Sequence, residues 1–481
     1  MTNNTNQDQI VHLQNLYFNI FGSNPTDVRM MPPSGSYREY YRMTDENRSI
    51  IGVFNKDRKE NIAFLYYSKH FKSLGLNVPE ILAEDLDNHV YLQQDLGDIT
   101  LFSYLSNNGA EYNENLKNIY KNVLEHLIDF QIKGIDGLDL TKSYPRAAFD
   151  KQSMLWDCSY FKYYFLKLAK IPFDEQLLEN DFQTFTEYLL TEDCNYFLYR
   201  DFQSRNIMLH NDNPFFIDYQ GGRKGALQYD VASLLYDAKA DIPQEVRHDL
   251  LTHYIQKLNE KLPIDEQKFR TMFSGYAMIR LMQAMGAYGF RGFYERKEHF
   301  LQSIPFAVRD MAYLIPTIDR NIQIPELQRV WTSLIESIEL KKINSSRLKL
   351  NVRSFSYRKG IPPDTSGHGG GFVFDCRLLH NPGRYEKYVN LTGKDQEVKD
   401  FFKEQSDIKE FLHLCKQLVS KSVKTYLKRR FSHLTVFFGC TGGQHRSVYC
   451  AEQLTEFLKV QFPEVDIQLF HTEQDNNNLA K

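Results

Sequence analysis

The sequence has few cysteines and no motif that would gather them. Six cysteines are scattered over 481 residues, and no Cys-x-x-Cys pair occurs. This excludes a disulfide-rich scaffold and a structural zinc site of the usual spacing. Long apolar runs are also lacking, since the most apolar stretch, residues 273–290, contains Arg280. That stretch predicts a buried helix, and we expect no membrane span.

Two further signals are missing. No Walker-type phosphate loop, GxxxxGK followed by Ser or Thr, occurs in the chain, so a standard nucleotide loop is excluded. The first residues are polar and lack the basic-then-apolar layout of a secretory signal. With 42% hydrophobic and 25% charged residues, the composition is that of a folded protein rather than a disordered one. We therefore expect a reduced, cytoplasmic protein.

The length predicts two or three domains. Alternating apolar and polar residues over 28–54 and a strand pattern at 90–94 predict a small antiparallel sheet. Helical patterns dominate beyond it and are interrupted by short strands between residues 196 and 222. The predicted limits are 1–335 for a first domain (small lobe about 10–94, helical lobe about 98–335), 336–347 for a linker and 348–481 for a second domain.

The second domain has a different pattern. A buried strand at 434–439 is followed by a helix at 447–460 and another strand at 466–470, and an earlier strand pattern covers 372–377. This order predicts a βαβ-type, α/β unit. Residues 348–481 hold 20 Lys and Arg against 15 Asp and Glu, a mildly positive balance that fits an anionic ligand.

A first group of polar residues predicts phosphoryl transfer. Asp201 and Asn206 lie five positions apart in a loop, and Asp218 follows an apolar strand twelve residues later. Phosphoryl transfer needs a base for the acceptor hydroxyl and oxygen ligands for Mg²⁺ on the ATP phosphates. Asp201 suits the base, and Asn206 and Asp218 suit the metal. The alternative is that both aspartates are ordinary turn or cap carboxylates.

This region resembles a known family. The strings that carry the resemblance are residues 198–208, 217–220 and 229–237, together with Asp95-Leu96-Gly97-Asp98. They are similar to the aminoglycoside phosphotransferase-like kinases, and within them to the AmgK-type anomeric sugar kinases. Over residues 10–335 the resemblance implies an α+β, bilobal protein-kinase-like fold. It also implies ATP as donor and the anomeric hydroxyl of N-acetylmuramate or N-acetylglucosamine as acceptor, as in cell-wall recycling.

The group that holds the donor phosphates is less evident. Protein kinases carry a lysine in the strand after the glycine loop, and residues 51–55 have none. Lys56 is the nearest candidate, although a cap on a solvated turn explains it as well. The turn Ser34-Gly35-Ser36 could offer backbone N–H donors, or be an ordinary turn. We expect Asp230 and Asp237 to be structural carboxylates.

For the acceptor, the sequence offers a polar-aromatic stretch late in the helical lobe. Its members are Arg280, Gln283, Tyr288, Arg291 and Tyr294. Aromatic faces stack on sugars, and an arginine pairs with a carboxylate such as the lactyl group. The family places acceptor contacts in this region. Core packing and solvated charge are the alternative explanation.

A second group of residues predicts anion binding. After the strand at 434–438 the chain passes through a glycine-containing loop into a helix. The loop residues that we expect to bind an anion are Cys440, Thr441, Gly442, Gly443, Gln444, His445 and Arg446. Turned-in N–H groups and a helix N-terminus form such a cradle. The spacing of Cys440 and Arg446 also matches cysteine phosphatases, with Asp375 as the candidate acid, but anion binding is the favoured interpretation.

This region resembles the C-terminal domain of the RapZ RNase adapter proteins over about residues 348–472. The strings are 354–360, 374–377, 381–382, 391–393 and 439–449. The resemblance implies an α/β module that senses an amino-sugar phosphate, glucosamine-6-phosphate, with Arg353 and Arg377 joining the loop. In RapZ it also implies RNA binding and oligomerisation. A basic RNA-binding tail is missing here, and Lys421, Lys424, Lys428, Arg429 and Arg430 are either its substitute or a solvated helix face.

The combined prediction is an ATP-dependent sugar kinase fused to an amino-sugar-phosphate sensor. One alternative is a phosphotransferase for choline, an aminoglycoside or another small alcohol. A second is a kinase-derived adapter for RNA or protein, regulated by the sugar phosphate, which the missing strand lysine keeps open. RNA and a second copy of the chain are the less favoured partners in this prediction.

Overall fold

The computed structural model describes residues 3–32, 38–107, 112–342, 348–363, 371–404, 406–428, 431 and 433–474. The chain divides into two compact units. The first contains residues 1–290 and 306–337, and the second contains residues 291–305 and 338–481. In the part of the chain that is described, no helix has both the length and the apolar character needed to cross a bilayer.

The first unit begins with a five-stranded antiparallel sheet in the order β1-β2-β3-β5-β4. Its strands are β1 Asp27–Met30, β2 Glu39–Thr44, β3 Ser49–Phe54, β4 Ile81–Asp85 and β5 Val90–Gln94, accompanied by α1 Asn3–Phe21 and α2 Arg58–Ser73. The predicted small-lobe sheet is therefore confirmed.

Alternation along these strands gives the sheet two different faces. One face packs on α1, where Tyr41, Met43 and Leu92 form a core with Leu13. Gly52 faces this helix, because a Cβ there would lie 2.9 Å from both the Leu13 side chain and the Met43 sulfur. The opposite face carries the even-numbered residues of β2 and the odd-numbered residues of β3 and β5.

The rest of the first unit is mainly helical. Its helices are α3 Leu101–Asn107, α4 Glu114–Lys133, α5 Lys151–Phe161, α6 Glu175–Leu189, α7 Gln228–Leu235, α8 Gln244–Lys261, α9 Glu266–Tyr288, α11 Ile304–Leu314 (from residue 306) and α12 Pro325–Glu336, whereas α10 Glu298–Leu301 and α13 Ile338–Lys342 belong to the second unit. Four of them begin after a side chain that accepts the N–H three residues on, at Asn113, Asp150, Asp174 and Asp265.

Two short strand pairs interrupt the helices. They are β6 Tyr196–Leu198 with β9 Arg223–Gly225, and β7 Ile207–His210 with β8 Asn213–Phe216. Three of the four strands lie within the predicted segment 196–222, and β9 follows directly after it. The short helix α13 lies within the segment predicted as a linker. Residues 343–347 of that segment lie outside the described residues.

The second unit is built on a four-stranded parallel sheet in the order β11-β12-β10-β13. Its elements are β10 Lys349–Ser356, β11 Gly371–Asp375, α14 Gln396–Lys403, α15 Ser406–Lys428, β12 His433–Cys440, α16 Arg446–Gln461 and β13 Asp466–His471. The predicted α/β unit is confirmed. One strand prediction was too long: β11 ends at Asp375, whose side chain accepts the N–H of Arg377 and turns residues 376–378 into a 3-10 helix.

Candidate active site and anion-binding loop

A buried carboxylate holds the loop that carries Asp201. Asp230 is fully buried on α7 and accepts the N–H groups of Tyr199 at 2.6 Å and Arg200 at 3.0 Å. Arg200 has a φ of +84°, which residues other than glycine rarely adopt. Its guanidinium also donates to both oxygens of Asp157, at 2.7 and 2.8 Å. These contacts fix the backbone from which the Asp201 side chain projects.

The structural roles predicted for Asp230 and Asp237 are confirmed. Burial raises the pKa of Asp230 to about 7, although its two backbone donors act in the opposite direction. Asp237 accepts the Ser204 hydroxyl at 2.6 Å and the Ser204 N–H at 3.3 Å. Together the two carboxylates hold the backbone just before Asp201 and at Ser204.

The side chain of Asn206 joins the loop to Asp218. Its Nδ2 donates to the backbone carbonyl of Asp201 at 2.8 Å and to Oδ2 of Asp218 at 3.2 Å. Gln220 donates to the other Asp218 oxygen at 2.8 Å. Burial raises the pKa of Asp218 and the charge of Asp201 raises it further, whereas Arg38 lowers it. The structure thus brings together the three residues that the sequence predicts for the phosphoryl-transfer centre.

The donor set of this cluster fits a magnesium ion that also binds phosphate oxygens. Asp218 supplies a buried carboxylate, and Asn206 keeps its amide oxygen available because its Nδ2 is used for both hydrogen bonds. Among the described residues, no group of three His, Cys, Asp or Glu side chains forms a self-sufficient metal site. Mg²⁺ is commonly bound by one or two side-chain ligands with water and substrate phosphates, so this small set is adequate.

An ion pair that the sequence prediction missed lies beside Asp218. Nη2 of Arg38 is 3.2 Å from Oε1 of Glu60 on α2, and Nη1 of Arg38 is 3.9 Å from Oδ1 of Asp218. Glu60 also accepts hydrogen bonds from Asn55 at 2.8 Å and from Gln220 at 3.3 Å. This network connects β2, α2 and the segment after β8. No sequence signal separates Arg38 from its neighbouring arginines.

Of the residues predicted to hold ATP, only Lys56 lies within the described part of the chain. Ser34, Gly35 and Ser36 lie outside the described residues. Lys56 is exposed in the turn between β3 and α2, while Arg38 forms the ion pair with Glu60. The assignment of Lys56 to ATP therefore stays a prediction.

The residues predicted for the acceptor fall into two groups. Arg280 is buried on α9, where its Nε donates to Ser233 on α7 at 3.0 Å and its Nη1 donates to Gln283. Arg291 belongs to the second compact unit, where its guanidinium lies 5.3 Å from the centre of the Phe300 ring. The structure brings Arg280 and Gln283 into contact, and all three assignments stay predictions.

The predicted acceptor aromatics also differ in their surroundings. Burial, together with the charge of Asp237, raises the pKa of Tyr288 to about 12. Tyr294, in contrast, is 68% exposed.

In the second unit, the predicted anion loop runs from the end of β12 to the start of α16. Gly443 has a φ of +66°, and a Cβ there would lie 2.4 Å from the Glu473 side chain. Thr441 and Gly442 are exposed. Within the residues that the structure describes, the N–H groups of residues 441–445 donate no hydrogen bond. The loop therefore offers a series of backbone donors next to a helix N-terminus.

The side chains that follow the glycines bind neighbouring backbone. Nε2 of Gln444 donates to the carbonyls of Val389 at 2.8 Å and Leu391 at 2.7 Å. Nε2 of His445 is 2.9 Å from the carbonyl oxygen of Tyr388. We expected both side chains to contact the anion, and in this structure they hold the adjoining 388–391 segment instead. Their contribution to the ligand stays a prediction.

Arg446 is anchored in the same way. It is 6% exposed, and its Nη1 donates to the carbonyls of Arg377 and Leu379, each at 3.1 Å. Nη2 reaches the Thr441 hydroxyl at 3.4 Å, whereas the buried Nε has no partner among the described residues. Nη1 therefore connects the loop to the turn after β11, and the Nε–H is not engaged by any described residue.

The geometry does not favour phosphatase chemistry at Cys440. Its thiol is buried, 3.1 Å from the Ser447 hydroxyl. The ion pair with Arg377 lowers the pKa of Asp375, so this carboxyl is ionised at neutral pH and has no proton to donate. Arg377 is about half exposed and lies over the Tyr357 ring.

The sequence prediction named two other basic features in the second unit. The Arg353 guanidinium lies 5.4 Å from the centre of the Phe470 ring. Lys421 and Lys424 are exposed on α15, whereas the side chain of Lys428 and the residues Arg429 and Arg430 lie outside the described part. RNA binding by this run stays a prediction.

Three proteins named only as nucleotide-binding proteins are similar to this chain. The Endomicrobium trichonymphae protein is 28% identical over 237 residues, 49% of this chain and 78% of its own length. The Thermotoga neapolitana protein is 38% identical over 115 residues, 24% of this chain and 39% of its own length. The Fusobacterium nucleatum protein is 34% identical over 159 residues, 33% of this chain and 52% of its own length. The chain thus spans about half or less of the last two relatives.

Several solved structures also resemble part of the chain, at low identity. The choline kinase LicA from Streptococcus pneumoniae has a TM-score of 0.41 and 15% identity, covering 63% of this chain and 99% of its own. The ethanolamine kinase from Plasmodium vivax has a TM-score of 0.43 and 12% identity, covering 60% and 82%. The ADP-bound aminoglycoside phosphotransferase APH(2'')-Ib has a TM-score of 0.40 and 14% identity, covering 70% and 98%.

Family models match both units. Residues 32–264 match the phosphotransferase enzyme family, and residues 348–475 match the RapZ C-terminal domain. The first match contains Asp201, Asn206, Asp218 and the Arg38–Glu60 pair, and the second contains the whole anion loop. Residues 32–264 are therefore similar to the phosphotransferase enzyme family, and residues 348–475 are similar to the RapZ C-terminal domain.

Proposed function

We propose that the first unit transfers the γ-phosphoryl group of ATP to a hydroxyl of an N-acetylated amino sugar, and that the second unit binds a phosphorylated amino sugar. The favoured acceptor is the anomeric hydroxyl of N-acetylmuramate or N-acetylglucosamine. The single observation that carries the kinase proposal is the bridge from Asn206 to Asp201 and Asp218. Because Asn206 donates to the Asp201 backbone carbonyl and to the Asp218 carboxylate, this bridge supports a base at Asp201 and metal ligands at Asn206 and Asp218.

The chemistry asks little of the protein beyond positioning and charge. The Asp201 carboxylate would accept the proton of the acceptor hydroxyl as that oxygen attacks phosphorus. Asn206 and Asp218 would hold Mg²⁺, which supplies positive charge at the nucleotide phosphates when bound. Asp230 keeps the backbone of Tyr199 and Arg200 in place, so the base stays aligned without reorganisation of the loop.

Two polar side chains on α9 support the acceptor proposal. Arg280 and Gln283 are in contact on α9, and the Arg280 side chain reaches α7, the helix that also holds Asp230. A guanidinium beside an amide is suited to a carboxylate or hydroxyl-rich ligand. The sugar identity rests on the sequence strings around Asp201, Asp218 and Asp230 rather than on these contacts.

A substrate panel tests the kinase proposal. The purified chain is incubated with Mg-ATP and N-acetylmuramate, N-acetylglucosamine, choline, ethanolamine or an aminoglycoside, and the products are identified by phosphorus NMR. A sugar 1-phosphate is the expected product. Phosphorylation of choline or an aminoglycoside alone would move the acceptor to another class, and no ATP consumption with any acceptor would remove the kinase proposal.

A matched pair of variants tests the base. Asp201→Asn keeps the size of the side chain but removes its ability to take a proton, and we expect turnover to fall by roughly 10³-fold or more. Asp212→Asn is the control, because Asp212 is exposed in the turn between β7 and β8. Near-wild-type turnover of Asp201→Asn would contradict the assigned role.

Calorimetry tests the sensor proposal. Its support is the row of N–H groups at 441–445, the helix N-terminus and the remaining Nε donor of Arg446. We expect glucosamine-6-phosphate to bind more tightly than glucosamine. If the units are coupled, the phosphosugar changes the acceptor affinity of the kinase and the acceptor changes phosphosugar affinity by the same factor. Equal affinity with and without the phosphate group would contradict an anion site.

A further inference from the structure

Protein kinases carry a lysine for the donor phosphates on the strand that corresponds to β3, and β3 of this chain has no lysine or arginine. Val53 lies on β3 with Tyr40 and Tyr91 as its cross-strand neighbours. Because cross-strand neighbours share a face of the sheet, these three residues lie on the face opposite α1. The position on this strand that faces α2 is therefore apolar.

Arg38 brings a positive charge to the same face from the neighbouring strand. It directly precedes β2 and has the same parity as Tyr40, so its side chain belongs to this face. It is 4% exposed and sits between Glu60 at 3.2 Å and Asp218 at 3.9 Å. Its guanidinium also lies 5.3 Å from the centre of the Phe64 ring on α2.

A buried arginine in this position is costly unless anions compensate it, and it remains charged throughout the physiological pH range. The Glu60 carboxylate supplies one compensating charge and is itself held by Asn55 and Gln220. Asp218 supplies the second. A polyphosphate that reaches a metal at Asp218 therefore enters the reach of the same guanidinium, whose planar array of donors fits phosphate oxygens.

We propose that Arg38 binds the phosphate chain of the nucleotide donor, in place of a lysine on β3, and that Glu60 is the positioning residue that orients it. This inference rests on the proposed kinase function. It assigns the phosphate contact to the residue that precedes β2, with its positioning partner on α2, and it gives Lys56 no part in this contact.

The test compares nucleotides that differ only in their phosphates. Binding of adenosine, AMP and ADP with Mg²⁺ is measured by calorimetry on the full chain, together with kcat and KM for ATP. Arg38→Met should weaken ADP binding by roughly 10- to 100-fold and leave adenosine binding unchanged, because only the charged hydrogen bonds are lost. Arg38→Lys should recover part of the ADP affinity.

The control is Arg48→Met. Arg48 lies in the β2–β3 turn, at the other end of the same strand pair, where it pairs with Asp45 at 3.1 Å. We expect it to bind all three nucleotides like the wild type. If Arg38→Met still binds adenosine, its nucleotide site is folded. If Arg38→Met does not bind adenosine, the test uses Arg38→Lys and the Arg38→Met/Glu60→Gln double variant instead, because the double variant removes both charges of the ion pair.

The outcomes are distinct. Equal losses of adenosine and ADP affinity in every Arg38 variant, or unchanged ADP affinity in Arg38→Met, would overturn the role of Arg38. Wild-type protein that binds none of the nucleotides would instead overturn the kinase function. For Glu60, we expect Glu60→Gln to lower ADP affinity in the wild type but not in Arg38→Met, since an orienting residue acts only through Arg38. Equal effects in both backgrounds would remove its positioning role.

Discussion

The buried carboxylate behind the catalytic loop should make the first unit sensitive to pH. Asp230 is fully buried and its pKa is raised to about 7, whereas an aspartate in the unfolded chain titrates near 3.9. Because the pKa of Asp230 is raised in the folded state, this residue contributes most to the free energy of unfolding below pH 4. The contribution is lost as the pH rises toward 7. Between pH 5 and pH 8 the linkage relation gives a loss of roughly 2–3 kcal/mol.

The variant Asp230→Asn removes this titration. Asparagine can accept only one of the two N–H groups at Tyr199 and Arg200, so the variant should be less stable than the wild type at pH 5. The difference in unfolding free energy should shrink by the same 2–3 kcal/mol by pH 8, because the wild type then carries a buried charge.

Urea unfolding, followed by tryptophan fluorescence, measures the unfolding free energy of the first unit. Both tryptophans of the chain, Trp156 and Trp331, lie in the first unit, and Trp331 is buried on α12. Asp136→Asn is the control, because Asp136 is an exposed carboxylate after α4 and its replacement should leave the pH dependence unchanged. A stability difference between Asp230→Asn and the wild type that stays constant from pH 5 to pH 8 would refute the reasoning.

Two further predictions address the two loops. Asn206→Ala removes the donor shared by the Asp201 carbonyl and Asp218, so we expect initial rates to fall by roughly 10- to 100-fold or more across a Mg²⁺ titration, and wild-type rates would contradict the bridge. Gly443→Ala forces an alanine to a φ of +66° next to Glu473, so we expect the second unit to lose roughly 1–2 kcal/mol, measured by hydrogen exchange of β12 and α16 in the full chain. Gly442→Ala is its control, because a Cβ there has open space, and equal protection of both variants would contradict the strain argument.

The sequence was informative where the signal was local. The strand at Val90–Gln94 was predicted with its observed limits, because apolar residues and flanking turn residues define it within a few positions. The proximity of Asp201, Asn206 and Asp218 was also predictable, since they lie within 18 residues and are joined by a single hairpin, β7–β8. A short connection of this kind leaves few ways to separate them.

Contacts between distant parts of the chain could not be predicted in this way. Arg38 meets Glu60 and Asp218, the latter 180 positions away, and it differs from Arg42 and Arg48 only in its location on the sheet. The direction of side chains was equally hidden. His445 is a residue type that often binds anions, yet its ring nitrogen Nε2 contacts the backbone carbonyl oxygen of Tyr388 in another segment.

That engagement has a consequence for how the second unit can vary. Gly393 lies so close to the start of α16 that a Cβ there would be 2.3 Å from the His445 carbonyl oxygen and 2.5 Å from the Tyr449 nitrogen. The side chains of Gln444 and His445 in turn contact the backbone carbonyls of residues 388–391, just before this glycine. Neither segment can be reshaped alone, so any redesign of the loop for a different ligand must rewrite two stretches of sequence about fifty residues apart at the same time.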